Sequence, residues 1–311
     1  MKITSNTVVI GTTFVDLKGF SRNSYDPHGR NLGSIRIVHG GVGRNVVENF
    51  ANIGMPVSYV GMLENSAFGL DVEKHLRQIG VDLSYMVKAP ENGIGMWMVI
   101  LDEKGDMAGS ISSMPDISYM EDYLRQNGDR IIGEAGAVVL EVDLNERIAE
   151  MVVSLAEKHG KEIYAIVGNM SIVLARKDLI RRTSCFICNE IEAEKFFDAP
   201  LAACTVEEMV AFLPKAMARE DLKAMVVTMG ERGAVYCDGA TGAYGFCPPH
   251  PAKVVDTSGA GDAFFSGTVM ALIRGIALPD AVRYGARLAS QTISQSETSC
   301  PADRAFFDGK L

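Results

Sequence analysis

Short apolar runs rich in β-branched residues alternate with amphipathic stretches along most of the chain. Thr7–Ile10, Val57–Val60, Ala137–Leu140, Ile163–Val167, Cys185–Cys188 and Met225–Thr228 are near-continuous apolar runs, as expected of strands buried on both faces. Between them, apolar positions at helical spacing predict helices over Arg44–Ile53, Ala67–Ile79, Glu146–His159, Val206–Arg219, Gly261–Ile273 and Asp280–Ser294. Strand, helix, strand in repetition predicts an α/β fold. It should be a three-layer sandwich with a central, mostly parallel sheet flanked by helices.

Two regions break the rhythm. Phe14–His39 is polar, carries Pro27, Gly29 and Gly33, and ends in the alternating Ser34-Ile-Arg-Ile-Val-His39. Gly95–Leu101 and Met107–Ser112 flank Asp102-Glu-Lys-Gly-Asp106, a β-hairpin with a glycine-containing turn. These strand-like inserts, about 12–40 and 94–114, should pair into a small second sheet, a lid across one edge of the main one. Its apolar face needs a partner, which could be the substrate, the main domain or a second copy of the chain, the last making a homodimer through the lid.

Length and charge narrow the function. At 311 residues the chain suits about two domains, or one large α/β domain with an appendage, at about 150 residues per domain. Hydrophobic residues make up 47% and charged residues 22%, ordinary globular composition. The net charge is −9, so nucleic acid and anionic membrane are unfavourable partners. Any phosphate must be held by a local device, such as main-chain N–H groups at a helix start or a metal ion. The first ten residues lack the apolar core of a signal peptide, and no stretch approaches the ~18 apolar residues of a membrane span. A cytoplasmic protein is expected. Six cysteines are too sparse for a disulfide scaffold. Cys185 and Cys188 have redox-motif spacing, but on a strand they point to opposite faces and read as unpaired thiols.

The chemistry concentrates late in the chain. Asp256-Thr-Ser-Gly259-Ala-Gly261-Asp262 runs directly into the apolar helix beginning near Gly261. Its glycines permit a sharp turn, leaving the N–H groups of Gly259, Ala260 and Gly261 as an anion hole at the positive end of the helix dipole. Asp262 then has two explanations. It complements the dipole, or it acts as a base that accepts a hydroxyl proton. Other nucleotide motifs fail: no Gly-x4-Gly-Lys-Ser/Thr occurs, and Gly41-Val-Gly43-Arg-Asn-Val46 lacks the third glycine of the dinucleotide fingerprint. Gly40-Gly-Val-Gly-Arg-Asn45 opens a helix, so its glycines either admit a ligand to the backbone or simply form a turn.

Together, Gly40–Asn45 and Asp256–Asp262 resemble the paired signatures of the ribokinase-like, PfkB-type carbohydrate kinases. The resemblance runs over almost the whole chain and includes Val15-Asp16, Asn189-Glu-Ile-Glu192 and Thr228-Met-Gly230-Glu-Arg-Gly233. Asp16-Leu-Lys-Gly19, the arginine after the glycines and Asn189–Glu194 are most similar to the bacterial pseudouridine kinase branch. The resemblance implies ATP-dependent phosphorylation of a sugar hydroxyl, for a nucleoside the 5′-hydroxyl; another nucleoside, a free sugar such as ribose, or a non-catalytic nucleoside-binding role are the alternatives. It further implies that Asp16, Gly41 and Asn45 hold ribose hydroxyls, with help from Glu141 or Asp143 at a strand end. Asn189 and Glu192 would organise Mg²⁺, Thr228, Gly230 and Gly233 would line the nucleotide groove, and Asp256 and Ser258 could hold a monovalent cation such as K⁺. The chain departs from the pattern at Gly168-Asn169, where many relatives carry Asp-Pro, and at Ser66, where they often carry Asp; both Ser and Asp are good helix N-caps.

Overall fold

The computed structural model describes residues 6–308. The reading of the amino terminus falls partly on residues 1–5, outside the described residues. The chain begins with β1 (Thr7–Ile10), β2 (Phe14–Ser21), β3 (Gly33–Gly40), α1 (Val42–Ile53), β4 (Val57–Val60), β5 (Met62–Glu64), α2 (Ala67–Ile79) and β6 (Val87–Ala89). It continues through β7 (Gly95–Leu101), β8 (Met107–Ser113), α3 (Ser118–Glu134), β9 (Ala137–Glu141), α4 (Glu146–Lys158), β10 (Glu162–Ile166), α5 (Ser171–Ala175) and α6 (Lys177–Arg181). The last third holds β11 (Cys185–Asn189), α7 (Glu190–Phe197), α8 (Val206–Glu220), β12 (Ala224–Thr228), β13 (Ala234–Asp238), β14 (Tyr244–Cys247), α9 (Ala260–Ile273) and α10 (Leu278–Thr292).

All six predicted strands lie side by side in an eight-stranded sheet ordered β14-β13-β12-β11-β10-β9-β1-β4. The strands from β12 to β4 are parallel, and the β13–β14 hairpin adds an antiparallel edge. Strand alternation feeds two cores. Val8, Ile10, Val138 and Leu140 face Leu124 of α3 and Ile148 and Val152 of α4. Val9 and Val139 face Phe50 of α1 and Phe265 and Val269 of α9. Each such side chain, once buried, contributes about 1.5–3 kcal/mol. Cys188 joins the first core and Cys185 the second, which is the opposite-face arrangement the strand reading requires.

Helix α3 escapes a periodicity reading because its apolar ladder, Met120, Leu124 and Ile131, is interrupted by Gly128 in a mostly polar stretch. Ser66 caps α2, its hydroxyl accepting from Gly69 N.

The two inserts form one four-stranded sheet, β3-β2-β7-β8. β2 pairs antiparallel with β3 and parallel with β7, and the β7–β8 hairpin turns at Gly105, φ 85°. Partners in register share a face, so Asp16 stands in a row with Val38 and Trp97, and Lys18 in a row with Arg36 and Val99. The opposite face carries the row Ile37–Leu17–Met98, continued by Ile111.

Candidate active site

Three pieces of chain converge at the start of α9. Gly259 caps the helix with φ 76°, and the Thr298 carbonyl packs where a Cβ would stand, so this position demands glycine. Gly261 is the opposite case, for a Cβ there would meet nothing within 4 Å. Ala260 N donates back to Thr257 O at 3.2 Å. Among the described residues the N–H groups of Gly259 and Gly261 have no protein acceptor. Of the three amides expected to form an anion hole, Gly259 and Gly261 are therefore free of protein acceptors, whereas Ala260 holds the turn.

Asp262 lies in the first turn of α9 and accepts a hydrogen bond from Asn45 Nδ2 at 2.6 Å. Burial pushes its carboxyl up to about 7; Glu141 adds to the rise, while the Asn45 amide and the Arg44 charge oppose it. The other end of the Asn45 amide is also engaged, because Oδ1 accepts from Arg44 and from Thr298 Oγ1. Arg44 is fully buried and also binds Glu48 Oε2 at 2.6 Å, Gly40 O at 3.2 Å and Thr298 Oγ1 at 2.7 Å. Sequence reasoning noted this arginine but gave it no task. Its five donors organise the segment that aims Asn45.

The glycines of the first motif serve close packing. A Cβ on Gly43 would stand 2.6 Å from Gly11 Cα, and one on Gly41, φ 97°, 2.6 Å from Thr12 O. Glu141 is occupied as well. Its carboxylate accepts from Thr12 N at 2.7 Å, Gly43 N at 3.2 Å and Thr12 Oγ1 at 2.9 Å, tying β9 to the β1–β2 connection and α1. These donors hold the Glu141 carboxylate in place.

Asp16 differs. Its carboxylate abuts Gly40, where a Cβ would come within 2.8 Å of Cγ, and among the described residues it accepts no hydrogen bond. Burial raises its pKa, with Lys18 and Arg44 pulling the other way. Two residues along the same face, buried Lys18 donates to Ser258 Oγ at 3.1 Å and stands 3.7 Å from Asp256 Oδ2. Burial alone would raise the Asp256 carboxyl, but Ser258 and Lys18 together hold it below its ordinary value. The four-stranded sheet thus reaches the turn before α9 through a lysine. The signal was available, since residues i and i+2 of a strand share a face.

The remaining groups gather at neighbouring strand ends. Asn189 and Glu192 form a capping box on α7, Asn189 Oδ1 accepting from Glu192 N and Glu192 Oε2 accepting from Asn189 N, both at 2.9 Å. Asp143 Oδ2 accepts from Gly168 N and Asn169 N at 3.0 Å, so the Gly168-Asn169 departure supplies two amides to this carboxylate. Asp143 Oδ1 is buried with no partner among the described residues. Burial raises the Glu192 carboxyl, and the charge of Asp143 raises it further. Two hard carboxylates, one with an orphaned oxygen, fit an ion such as Mg²⁺ that takes few protein ligands and several waters. Among the described residues no group of three or more His, Cys, Asp or Glu side chains could hold a metal ion. Thr228 ends β12 opposite Asn189, and Gly230, φ 56°, and Gly233, φ 92°, shape the following turn. All of this lies along the carboxyl edge of the parallel strands, where open α/β sheets bind ligands. A groove of about 390 Å³ lined by Gly136, Glu162 and Ser184 opens at the other edge.

The sequence profile of the pfkB family carbohydrate kinases matches residues 4–304. A guanosine-inosine kinase of Exiguobacterium acetylicum is 32% identical over 289 residues, covering 93% of this chain and 94% of its own. A pseudouridine kinase of Escherichia coli K12 is 25% identical over 296 residues, covering 94% and 92%. Among solved structures, Arabidopsis thaliana ribokinase complexed with ribose and ATP superposes with a TM-score of 0.83 at 22% identity, covering 98% of each chain. The fold is ribokinase-like. With the profile spanning nearly its full length, the chain belongs to the pfkB family of carbohydrate kinases, phosphotransferases that act on an alcohol group of a sugar or nucleoside.

Proposed function

We propose that the chain transfers the γ-phosphoryl group of ATP to the 5′-hydroxyl of a nucleoside. The observation that carries this reading is the Asn45–Asp262 hydrogen bond, which fixes a carboxyl with a pKa of about 7 in the helix turn that directly follows Gly259. In this reading the whole chain, 1–311, works as one kinase unit whose lid strands close over the acceptor, in the cytoplasm.

The unpaired Asp16 carboxylate accepts from the ribose hydroxyls, beside the main chain of Gly41. Asn45, satisfied at both ends of its amide, chiefly orients Asp262. The attacking oxygen bonds to phosphorus as the bond to the ADP bridging oxygen breaks, and its proton passes to Asp262. An alcohol near 15.7 lies about 9 pK units above this carboxyl, so prior deprotonation would cost on the order of 12 kcal/mol. The proton therefore moves late, through a loose transition state. The Gly259 and Gly261 amides stabilise charge on the migrating phosphoryl group. Asp143 and Glu192, with Asn189, would hold Mg²⁺ and its waters, an ion that neutralises phosphate charge when bound. Thr228, Gly230 and Gly233 line the nucleotide groove. Beside Asp256 and Ser258, the Lys18 ammonium supplies the charge otherwise expected from K⁺.

Two acceptor bases remain. Identity to the guanosine-inosine kinase favours a purine nucleoside; similarity to the pseudouridine kinase, with the Asp16–Gly19 and Asn189–Glu194 matches, favours pseudouridine. ADP formation with Mg²⁺ and guanosine, inosine, pseudouridine, uridine, adenosine or ribose separates them. A kcat/KM higher for ribose than for every nucleoside would overturn the nucleoside reading, and nucleoside binding without turnover would overturn the enzyme reading.

The outer lid face supports a homodimer, since Ile35, Ile37 and Ile111 are 75%, 57% and 66% exposed and continuous apolar surface of this kind calls for a partner. Light scattering of the parent and Ile37→Lys tests it, a dimer that becomes a monomer being the expected result.

A further inference from the structure

We propose that Trp97 is the stacking platform for the nucleobase, and so the residue that separates a nucleoside from a free sugar at this site. The inference rests on the nucleoside reading above and adds the group that recognises the base.

Trp97 is the single tryptophan of the chain. Parallel pairing of β2 with β7 sets it directly beside Asp16, in the row that also holds Val38 and Ser112. Register partners in a sheet share a face, and this face is fixed by Lys18, which reaches Ser258 in the phosphate turn. Trp97 therefore sits on the site side of the lid, one strand over from the residue assigned to the ribose, with about 4.8 Å between the two strands. A base attached to that ribose extends over a neighbouring strand.

The ring is not spent elsewhere. Among the described residues Trp97 joins neither hydrophobic core, and its indole N–H has no hydrogen-bond acceptor, although the side chain is half-buried. Large aromatics normally join a core or satisfy their polar atom. The other residues in its row, Val38 and Ser112, offer a base no aromatic surface. A flat ring facing a sugar site accepts any base, purine or pyrimidine, and contributes nothing to a free pentose.

The single tryptophan makes the test direct. Emission from the full chain, excited at 295 nm, is titrated with guanosine, inosine, pseudouridine and ribose, and KM is measured for Trp97→Ala and Trp97→Phe. Stacking requires that nucleosides change the emission while ribose does not. Trp97→Ala should raise nucleoside KM about tenfold, with kcat and the KM for ATP within about twofold, and Trp97→Phe should recover most of the loss. Nucleoside turnover with unchanged emission, or wild-type KM in Trp97→Ala, overturns the platform and leaves the kinase reading intact. An emission change without phosphorylation supports the platform and overturns the kinase reading.

Discussion

Asn45 Nδ2 donates to Asp262 Oδ2 at 2.6 Å, joining the first turn of α1 to the first turn of α9 across 217 residues of sequence. The bond unites the two glycine motifs in one device. The first motif supplies the amide that fixes the carboxylate, and the second supplies the carboxylate and the two unpaired amides of the turn.

Asp262→Asn should lower kcat at least ~10²-fold with little change in the KM for ATP, the scale of a positioned acid–base group. Because the Asp262 carboxyl is pushed up to about 7, kcat/KM for the acceptor should rise with pH through that value, and the variant should lack this limb. The stability effect runs the other way. Between 3.8, the ordinary value, and about 7, the unfolded chain releases this proton first, so stability falls as pH rises, by at most on the order of 4 kcal/mol. At pH 8 the variant should melt higher than the parent. A variant with near-parental turnover removes Asp262 from the proton transfer.

Arg44→Met tests the layer behind. It leaves Asn45 Oδ1 without its guanidinium donor and Glu48 without its guanidinium partner, which should cost about 3–5 kcal/mol of stability. It should also lower kcat about tenfold and move the acid limb to higher pH, because Arg44 opposes the rise at Asp262. Lower stability with an unmoved limb would confine Arg44 to a structural role.

Much of this was legible in the residues. The parallel strands announced themselves because a strand covered on both faces has no polar alternation to obscure it, and Asp262 and the glycine turn could be read together because they are adjacent in sequence. Lys18, Thr298 and the surroundings of Asp143 were not. Each acquires its meaning from a partner far along the chain, Lys18 from Ser258, Thr298 from Arg44, Asp143 from the amides of Gly168 and Asn169. At Glu141 the strand-end carboxylate was legible, but the donors packed against it, Thr12 and Gly43, were not.

The two glycines of the turn should respond differently. Gly259→Ala forces a side chain onto the Thr298 carbonyl at φ 76° and should destabilise the fold by more than 1 kcal/mol. Gly261→Val points into open space, so it should keep the parental melting temperature while turnover falls at least tenfold, as the isopropyl group fills the phosphate position. Equal loss of stability in both variants would contradict the outward aim of Gly261.

Lys18→Met separates the internal cation from a dissolved one. The parent should turn over in buffer free of K⁺, since the Lys18 ammonium already contacts Ser258 and neighbours Asp256. The variant should lose about tenfold in kcat, and added K⁺ should restore part of that. A parent inactive without K⁺ would show that the lysine does not serve in its place.

The network behind Arg44 gives the protein a pH window of its own. His75 Nε2 lies 3.1 Å from Glu48 Oε1, and Glu48 also binds Arg44 and Ser299. Burial alone would raise the Glu48 carboxyl, but these partners hold it at about 2. The Glu48 hydrogen bond in turn raises His75 above its ordinary 6.5. The depressed carboxyl contributes stability present above 4.5 and lost as pH falls toward 2; the raised imidazole contributes stability present below 6.5 and lost as pH climbs through its folded value. Subtracting the melting profile of His75→Gln from that of the parent, over pH 4 to 9, should leave a difference that is full below 6.5 and vanishes on the alkaline side. Glu48→Gln should cost more at every pH, about 2–5 kcal/mol, because it leaves Arg44 buried without its anion. A difference profile flat in pH would mean that His75 stays neutral throughout and that Arg44 alone balances Glu48.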